Sequence, residues 1–473
     1  MHIKKKTKLI TTIGPISKSK EMIEKLFLAG MTTVRLNFSH GDTSQHISVV
    51  KNTREISDKY NFPISIMLDT KGPEIRIGKI KDEGQLIEKN QIITIYTSND
   101  DYQNKICLDN QLTMSYDLSK DVKIGNKILV DDGKLQLEVL EVEKHKIITK
   151  ALNAHFTKSN KRVNVPGIKL SLEFLSKQDE KDINFAIDHN LDFIAASFVN
   201  SKEDIKQIRD ILNKKNNRHI QIISKIESQY AIDHLDEIIH ASDGVMVARG
   251  DLGLEIPYYE VPIIQKRIIR KCRELGKMVI VATQMLDSME KSPQPTRAEV
   301  TDVYLAVELG SDAVMLSGES AIGLYPIEAV KVMAQIAIRA EQEFYKKIYY
   351  QLHLENIKNK NLDDREKIAL EIAKKTMKND YKFTIVFSKT GQILKAISKF
   401  RPNTNIIGIS SDETLYSSFG LTSSVFMWKN GLTYNQITNN MSENLKKILA
   451  NYNIKENDKF LIVRNHQISE GIY

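Results

Sequence analysis

The sequence predicts an α/β fold: a closed (β/α)8 TIM barrel with an inserted all-β lid domain and a C-terminal αβ domain. Eight short runs rich in Ile, Val and Leu alternate with longer amphipathic stretches that open with Ser or Thr and often close with Gly. Short alternating apolar runs interrupt this pattern after the third strand, and a separate αβ segment follows the eighth. An open, doubly wound parallel sheet is the structural alternative, because the same alternation also builds that fold.

The predicted barrel strands are short and mostly apolar. Three precede the interruption, at 8–13, 32–38 and 63–68, and five follow it, at 191–198, 220–226, 244–247, 278–283 and 312–316. Helices are predicted at 17–29, ending at Gly30, and at 43–60. Further strands are predicted near 383–387, 405–409 and 460–463, after a long helix that ends near Tyr345.

The interrupting segment has the pattern of a small β domain. Its apolar residues alternate, and Asp132-Gly133 is a strong hairpin signal. We therefore predict a catalytic barrel from 1–73 and 165–345, an inserted β-barrel lid domain at 74–164, and a C-terminal α/β domain at 346–473. The insertion follows a strand end, which is where barrels carry their active sites, so it is placed to act as a lid.

Composition supports a folded protein of several domains. The chain has 473 residues, and at roughly 150 residues per domain this length favours about three domains. Hydrophobic residues make up 41% and charged residues 27%, which excludes a disordered, collagenous or membrane-embedded chain. The net charge of +8 is too diffuse to indicate a nucleic-acid binder.

Cysteine usage and the lack of targeting segments indicate a cytoplasmic protein. Cys107 and Cys272 lie far apart and outside any CxxC or Cys/His spacing, so neither a disulfide framework nor a zinc site is expected. The basic N-terminus is followed by a stretch too short and polar for a secretory signal. No window approaches 18 consecutive apolar residues, so no transmembrane helix is expected.

Polar residues gather at the carboxyl ends of six predicted strands. In strand order they are Arg35, Asn37, Ser39 and His40; Asp69, Thr70 and Lys71; Lys225 and Glu227; Arg249, Gly250 and Asp251; Thr283 and Gln284; and Ser317, Gly318 and Glu319. In a barrel these ends converge on one site. Residues i and i+2 of a strand face the same way, so Lys225 and Glu227 share a side of the sheet.

A metal site is one interpretation of these charges, and a structural ion pair between Lys225 and Glu227 is the other. Asp251 at the end of the next strand favours the metal, since two carboxylates on adjacent strands suit Mg²⁺. Gly250 would let a ligand approach the backbone, and Arg35 supplies a planar fork for a phosphate or carboxylate. Together these features indicate phosphoryl transfer or enolate chemistry.

A second group is rich in oxygen but carries one formal negative charge. It consists of Asn37, Ser39, Asp69 and Thr70. Such a group suits a large monovalent cation better than a second Mg²⁺. A hydrogen-bonded turn is the alternative, because these residue types are also common in turns.

Seven motifs together resemble the pyruvate kinase family, and they occur in the family's order over about 350 residues. They are RLNFSHG at 35–41, MLDTKGPEIR at 67–76, IISKIES at 222–228, GVMVARGDLGLE at 244–255, VATQMLDSM at 281–289, PTRAEVTDV at 295–303 and DAVMLSGESAIGLYP at 312–326. The resemblance implies phosphoryl transfer from phosphoenolpyruvate to ADP, giving pyruvate and ATP, in the last step of glycolysis. It also implies a cytoplasmic homotetramer without a nucleic-acid or membrane partner.

The same resemblance assigns roles to individual residues. Arg35 would hold the phosphoryl group, Lys225 would stabilise its charge during transfer, and Thr283 would stand near the proton-delivery route. The remaining assignments are Gly250 and Asp251 to the substrate carboxylate, Glu227 and Asp251 to Mg²⁺ (or Mn²⁺), Asn37, Ser39, Asp69 and the Thr70 carbonyl to K⁺, and Asn37, His40, Arg76 and Lys161 to the nucleotide. Family members that dispense with K⁺ tend to carry Lys where this chain has Glu74.

The chain also departs from the family pattern at several positions. Ile77 stands where potassium-dependent members usually have Thr, and Arg162 replaces a frequent Gly. Gln392 and Ile393 replace donors of the usual effector loop, so we expect no effector control of the usual kind.

Two other functions remain as alternatives. One is a metal-dependent barrel lyase or aldolase, which would use the same Glu and Asp but leaves the lid and Arg76 unexplained. The other is a nucleic-acid-binding or scaffold protein that has kept the fold, to which only the net charge of +8 and the pI of about 9.0 point.

Overall fold

The computed structural model describes residues 5–346, 348–357, 361–429, 432–452 and 454–473. Strands and helices alternate at its start, as β1 (Lys8–Thr12), α1 (Lys20–Ala29), β2 (Thr33–Asn37), α2 (Thr43–Lys59) and β3 (Ser65–Asp69). The predicted start of α1 at residue 17 is wrong by three residues. Ser19 caps the helix by accepting a hydrogen bond from the N–H of Met22, whereas Ser17 accepts one from the N–H of Gly14.

The segment between β3 and the fourth barrel strand forms its own sheets. Its elements are β4 (Ile75–Arg76), β5 (Gln85–Ile87), β6 (Ile92–Tyr96), α3 (Asn99–Asn104), β7 (Gln111–Thr113), β8 (Lys127–Val130), β9 (Leu135–Glu143), β10 (Lys146–Ala151), β11 (His155–Thr157) and β12 (Arg162–Asn164). Seven of these strands form what we call the inserted sheet, in the order β4-β12-β8-β9-β10-β6-β7, and β11 pairs with β5. The short helix α3 means that the segment is not strictly all-β.

The hairpin predicted at Asp132-Gly133 is confirmed. Strands β8 and β9 are antiparallel, with Val130 opposite Leu135. The turn between them holds Asp132 at a φ of 55° and Gly133 at 77°. Asp and Gly adopt this left-handed conformation more readily than other residues, which is why the pair marks the turn.

The barrel resumes after the inserted sheet. Its elements are α4 (Lys177–Asp188), β13 (Phe193–Ala196), α5 (Lys202–Lys214), β14 (Gln221–Ile226), α6 (Gln229–Asp233), α7 (Leu235–Ala241), β15 (Gly244–Ala248), α8 (Arg249–Glu255), α9 (Val261–Leu275), β16 (Met278–Ala282), α10 (Arg297–Glu308), β17 (Ala313–Leu316), α11 (Gly318–Ala321) and α12 (Pro326–Lys346). The eight strands close in the order β1-β17-β16-β15-β14-β13-β3-β2. Because β1 pairs in parallel with both β2 and β17, the sheet has no edge and the doubly wound alternative is excluded.

A five-stranded sheet with flanking helices completes the chain. Its elements are α13 (Ile348–Ile357), α14 (Asp364–Lys378), β18 (Tyr381–Phe387), α15 (Gln392–Lys399), β19 (Asn405–Ile409), β20 (Val425–Met427), α16 (Tyr434–Asn439), α17 (Met441–Ala450), β21 (Lys459–Arg464) and β22 (Gln467–Ile472). Single 3₁₀ turns lie at Leu118–Lys120, Asp287–Glu290 and Glu413–Leu415. The sequence prediction missed β20, which has three residues, and β22, which is largely exposed. The predicted αβ character of this segment is confirmed.

The apolar layers show which way each barrel strand faces. Val34 and Leu36 pack in the cluster between strands and outer helices, so Arg35 between them points into the barrel. Ile223 lies in the cluster inside the barrel, and Lys225, two residues later, points the same way. The barrel interior is therefore apolar at depth and charged at its mouth. Among the described residues, no helix combines the length and apolar composition needed to cross a membrane.

A buried ion pair joins the C-terminal segment to the end of the barrel opposite this mouth. Both terminal nitrogens of Arg401 donate to Asp312, at 2.7 Å each, and the two side chains are 6% and 4% exposed. Asp312 also accepts a hydrogen bond from the N–H of Ser423. The pair lies just before β17 and fixes the C-terminal segment against the barrel.

We expect Arg401→Met to destabilise the protein by about 3–5 kcal/mol, because it removes the ion-pair partner of the buried Asp312 carboxylate. Thermal unfolding followed by circular dichroism measures the fall in midpoint. Arg339→Met is the matched control, since Arg339 is 59% exposed and pairs with Glu343 one helical turn away. That pair contributes about 0.3–0.5 kcal/mol. Equal midpoints for the two variants would contradict the role given to the buried pair.

Candidate active site

A cavity of about 500 Å³ opens between the barrel mouth and the inserted sheet. Ten of the predicted site residues line it, namely Arg35, Asn37, Ser39, His40, Asp69, Arg76, Lys161, Lys225, Glu227 and Asp251. Thr70, Gly250 and Thr283 are not part of this lining. The residues come from four barrel strand ends and from β4 and the turn before β12, so the cavity has walls from both the barrel and the inserted sheet.

Asp69 is the centre of the charged network at the barrel mouth. Its Oδ2 accepts a hydrogen bond from Arg35 Nε at 2.7 Å, and its Oδ1 accepts one from Lys225 Nζ at 3.1 Å and lies 3.2 Å from Ser197 Oγ. Burial raises the pKa of Asp69, but the two cations outweigh burial and the net pKa lies below its ordinary value. Asp69 is therefore ionised, and it orients both cations toward the cavity.

Lys225 is held from three sides. Besides Asp69, its Nζ contacts Ser197 Oγ at 2.8 Å and Glu227 Oε1 at 3.1 Å. Burial lowers the pKa of Lys225, yet the neighbouring carboxylates outweigh burial and leave the pKa above its ordinary value. A charged ammonium is thus fixed at the base of the cavity, where it is 11% exposed.

Glu227 has one satisfied oxygen and one available oxygen. Its Oε2 accepts a hydrogen bond from the N–H of Phe198 at 2.7 Å. Its Oε1 is buried, and although it contacts Lys225, no described residue donates a hydrogen bond to it. Burial raises the pKa of Glu227 to about 7, with Asp251 adding to the rise and Lys225 opposing it. A buried carboxylate oxygen in this condition is suited to a cation.

Asp251 is the second carboxylate at the mouth. It lies in the first turn of α8, and its Oδ1 contacts Arg162 Nη1 at 2.5 Å. Among the described residues no group of three or more His, Cys, Asp or Glu gathers around a common point. Glu227 and Asp251 both line the cavity, and two such carboxylates could hold a Mg²⁺ ion that takes its remaining oxygen ligands from water and substrate.

The turn after β16 has an unusual backbone. Thr283 and Gln284 have φ values of 69° and 52°, which are uncommon for residues with side chains. Arg249 holds this turn, because it donates to the Thr283 carbonyl at 2.7 Å while its other terminal nitrogen binds Asp302. Thr283 Oγ1 then accepts a hydrogen bond from the N–H of Gly250 at 2.8 Å.

The oxygen-rich group lies at the adjoining ends of β2 and β3, where Asn37 is in register with Asp69. Asn37 Oδ1 accepts a hydrogen bond from the N–H of Ser39 at 3.1 Å, and the Thr70 carbonyl accepts one from Ser197 Oγ at 2.6 Å. The group thus has turn-like hydrogen bonds and also faces the cavity through three of its four members. Its donor atoms are all oxygens of the kind that alkali cations bind.

Two cations of the inserted sheet reach the cavity from the side opposite the barrel. Lys161 Nζ contacts Asp131 Oδ1 at 2.8 Å, and Arg76 donates to Glu74 at 2.9 and 3.0 Å. Arg76 also donates to the Asn160 carbonyl. Both side chains therefore lie where an anionic ligand between the barrel and the inserted sheet would meet them.

Comparison with known protein families identifies the family of the chain that forms this charged cavity. The family model described as pyruvate kinase, barrel domain, matches residues 4–330. The chain belongs to the pyruvate kinase family. The sequence-based prediction of the family is confirmed.

Relatives and a solved structure agree over nearly the whole chain. The pyruvate kinase of Mycoplasma pneumoniae is 40% identical, over 96% of this chain and 95% of its own. That of Mycoplasma genitalium is 42% identical, over 92% of each chain. A crystal structure of a pyruvate kinase from Cryptosporidium parvum matches with a TM-score of 0.90 and 35% identity, covering 99% of this chain and 96% of its own. The predicted phosphotransferase with pyruvate kinase activity is confirmed.

Sequence reasoning missed three side chains of this pyruvate kinase site. Thr12 accepts a hydrogen bond from Arg35 Nη1 at 2.9 Å, Ser197 binds both Asp69 and Lys225, and Arg162 contacts Asp251. Thr12 is the last residue of the first barrel strand, and Ser197 directly follows the fourth. The strand-end rule applied to all eight strands finds both.

Proposed function

We propose that this chain transfers the phosphoryl group of phosphoenolpyruvate to ADP and then protonates the enolate to pyruvate, in the last step of glycolysis. The residues of the mouth cavity would carry out both steps. The convergence of Arg35 and Lys225 on Asp69 carries the proposal. Two fixed cations at the base of a cavity match a reaction that needs positioning and positive charge more than covalent chemistry.

Arg35 and Lys225 divide the work on the phosphoryl group. The Arg35 guanidinium, held by Asp69 and Thr12, presents its remaining N–H groups to phosphoryl oxygens. Lys225 places a compact charge where negative charge builds during transfer. Because the partners of both side chains are in place before substrate arrives, little reorganisation is needed at the moment of reaction.

Glu227 and Asp251 would hold Mg²⁺ or Mn²⁺, since their carboxylates face the same cavity. When bound, such an ion supplies positive charge that polarises the oxygens of the substrate. Asn37, Ser39, Asp69 and the Thr70 carbonyl would hold K⁺ at the adjoining strand ends.

The substrate carboxylate would lie against the backbone N–H groups of Gly250 and Asp251 at the start of α8. The Gly250 N–H donates to Thr283 Oγ1, so the substrate and Thr283 would share this donor. A substrate held there would have Thr283 near the carbon of the enolate that receives the proton.

The inserted domain, residues 74–164, would act as the lid over the barrel of 1–73 and 165–345. Asn37, His40, Arg76 and Lys161 would contact the nucleotide. Closure of the lid would exclude water, which otherwise intercepts the phosphoryl group. No described residue of the C-terminal domain, 346–473, lines this cavity. From the family resemblance we also infer a cytoplasmic homotetramer, and light scattering on the purified protein tests the tetramer.

A lactate-dehydrogenase-coupled assay tests this function. Pyruvate formation should require phosphoenolpyruvate, ADP, a divalent cation and K⁺ together. Formation of pyruvate at the full rate without ADP would instead indicate a phosphatase or lyase. A titration with RNA across salt concentrations tests the scaffold alternative, because binding by diffuse charge fades steeply with salt.

We expect activity to depend on K⁺ and Glu74→Lys to relieve this dependence at least in part. Glu74 lines the cavity, and its side chain is 9% exposed, so a Lys there would place an ammonium near the charges of the substrate. Arg76 would keep its hydrogen bond to the Asn160 carbonyl. Activity is measured against K⁺ concentration, with a bulky tetraalkylammonium salt holding ionic strength constant.

Glu141→Lys is the matched control for this experiment. It makes the same charge change at an exposed position of the inserted sheet. The control should keep the K⁺ requirement of the wild type. Full wild-type activity with tetraalkylammonium as the only monovalent cation would refute the proposed K⁺ site.

A further inference from the structure

An ion pair crosses the cavity from the inserted sheet to the barrel. Arg162 begins β12, and its Nη1 lies 2.5 Å from Oδ1 of Asp251 in α8. The two side chains are 18% and 21% exposed, so the contact is largely shielded from water. It links the two walls of the cavity through the carboxylate that we assign to the divalent cation.

The surroundings of Arg162 are strongly acidic. Four carboxylates attract its guanidinium, and they belong to Asp251, Glu227, Glu74 and Asp132. The guanidinium carbon lies 4.8 Å from the ring centroid of Phe198. Arg162 thus shares the balancing of these carboxylates with Lys225, which contacts Glu227, and with Arg76, which binds Glu74.

Phe198 connects this cation to the second metal-binding carboxylate. Its ring packs against Arg162, while its N–H donates to Glu227 Oε2 at 2.7 Å. Phe198 has a φ of 56°, a left-handed conformation that is costly for an aromatic residue. Phe198 therefore lies between the two carboxylates. Its N–H binds Glu227, and its ring packs against the Arg162 guanidinium that binds Asp251.

A divalent cation and the Arg162 guanidinium would compete for the same carboxylate. Whichever oxygen of Asp251 held the divalent cation, the two positive charges would lie within a few ångströms of each other and repel. Cation binding to Asp251 would therefore drive the guanidinium away. Withdrawal also breaks the contact that ties β12 to α8.

We propose that Arg162 is an internal counter-cation of the divalent-cation site: it neutralises Asp251 when the site is empty, ties the inserted sheet to the barrel, and is displaced when the divalent cation binds. The inference rests on the proposed metal-binding role of Asp251. Arg162 acts as a positioning residue, because it sets the affinity for free metal and couples metal binding to release of the inserted sheet.

Electron paramagnetic resonance measures direct binding of Mn²⁺ and tests this role of Arg162. The measurement is made without phosphoenolpyruvate or nucleotide. Arg162→Gln should bind Mn²⁺ roughly tenfold more tightly than the wild type, within the range of ordinary coupling between sites. Lys127→Gln, which removes a charge from an exposed position of the same sheet, should bind as the wild type does. An affinity of Arg162→Gln within twofold of the wild type, or a weaker one, overturns the inference.

Two further variants separate this inference from the metal assignment. Asp251→Asn should bind Mn²⁺ weakly, and adding Arg162→Gln to it should no longer tighten binding. Weak binding by Asp251→Asn together with an unchanged affinity in Arg162→Gln leaves the metal site standing and refutes the role of Arg162. Wild-type binding by Asp251→Asn refutes both.

Hydrogen exchange on the unmodified protein gives a readout that needs no variant. Saturating Mg²⁺ alone should speed exchange in the peptide spanning residues 162–168, because the tie to α8 is released. In Arg162→Gln, exchange of this peptide should already be fast and should not respond to Mg²⁺. Unchanged exchange in the wild type on addition of Mg²⁺ overturns the inference.

Discussion

Lys225→Met is expected to fold normally and to lose phosphoryl transfer by a factor of about 10³ or more, the size of effect found when a cation that stabilises this transition state is removed. The ammonium acts on charge that develops during transfer, so kcat should fall far more than the KM for phosphoenolpyruvate rises. Steady-state kinetics in the coupled assay measure both constants.

The fold should survive this change because the partners of Lys225 have other contacts. Asp69 keeps Arg35, and Glu227 keeps the N–H of Phe198. The Met side chain replaces the apolar stem of the lysine at similar volume. The thermal unfolding midpoint checks this point, and Lys206→Met on the exposed face of α5 is the matched control. A Lys225→Met enzyme with near wild-type kcat would remove Lys225 from the mechanism.

The barrel and most of its mouth were predictable because a strand alternates with period two. Arg35 and Asn37 lie on β2 between apolar residues that face the helices, so the sequence alone indicates that both point inward. The same reasoning places Lys225 and Glu227 together. The prediction of a closed barrel required only the number of strands and the helices that connect them. The parallel pairing of β1 with β17 confirms it.

Contacts between distant segments were not predictable in this way. Arg162 lies in β12 of the inserted sheet, and Asp251, 89 residues later, lies in α8 of the barrel. No local sequence pattern therefore indicates that the two residues are in contact. Thr283 has a left-handed backbone, and Arg249 from the preceding strand end donates to its carbonyl. Propensity disfavours such a conformation for Thr, so the local sequence does not predict it.

Glu227→Gln is expected to raise the Mg²⁺ concentration needed for half-maximal activity by a factor of about 100. Loss of a residue that only hydrogen-bonds to a metal ligand already lowers metal affinity by up to about this factor, and loss of the ligand's own charge should lower it at least as much. The substitution keeps the size of the side chain and an oxygen that can accept the Phe198 N–H, but it removes the anionic charge that attracts the cation. Maximal velocity should recover in part at high Mg²⁺, because Asp251 still supplies one carboxylate to the cavity.

Asp251→Asn tests the second carboxylate that we assign to the divalent cation. It also removes one anionic ligand, but it releases Arg162 from its ion pair. Because the guanidinium then no longer competes for the site, the Mg²⁺ requirement should rise less than that of Glu227→Gln. Activation curves are measured from micromolar to high millimolar Mg²⁺ at saturating phosphoenolpyruvate and ADP, with ionic strength held constant. Curves for both variants that overlay the wild type would show that neither carboxylate binds the activating ion, and the site would have to be sought among the other oxygen ligands of the cavity.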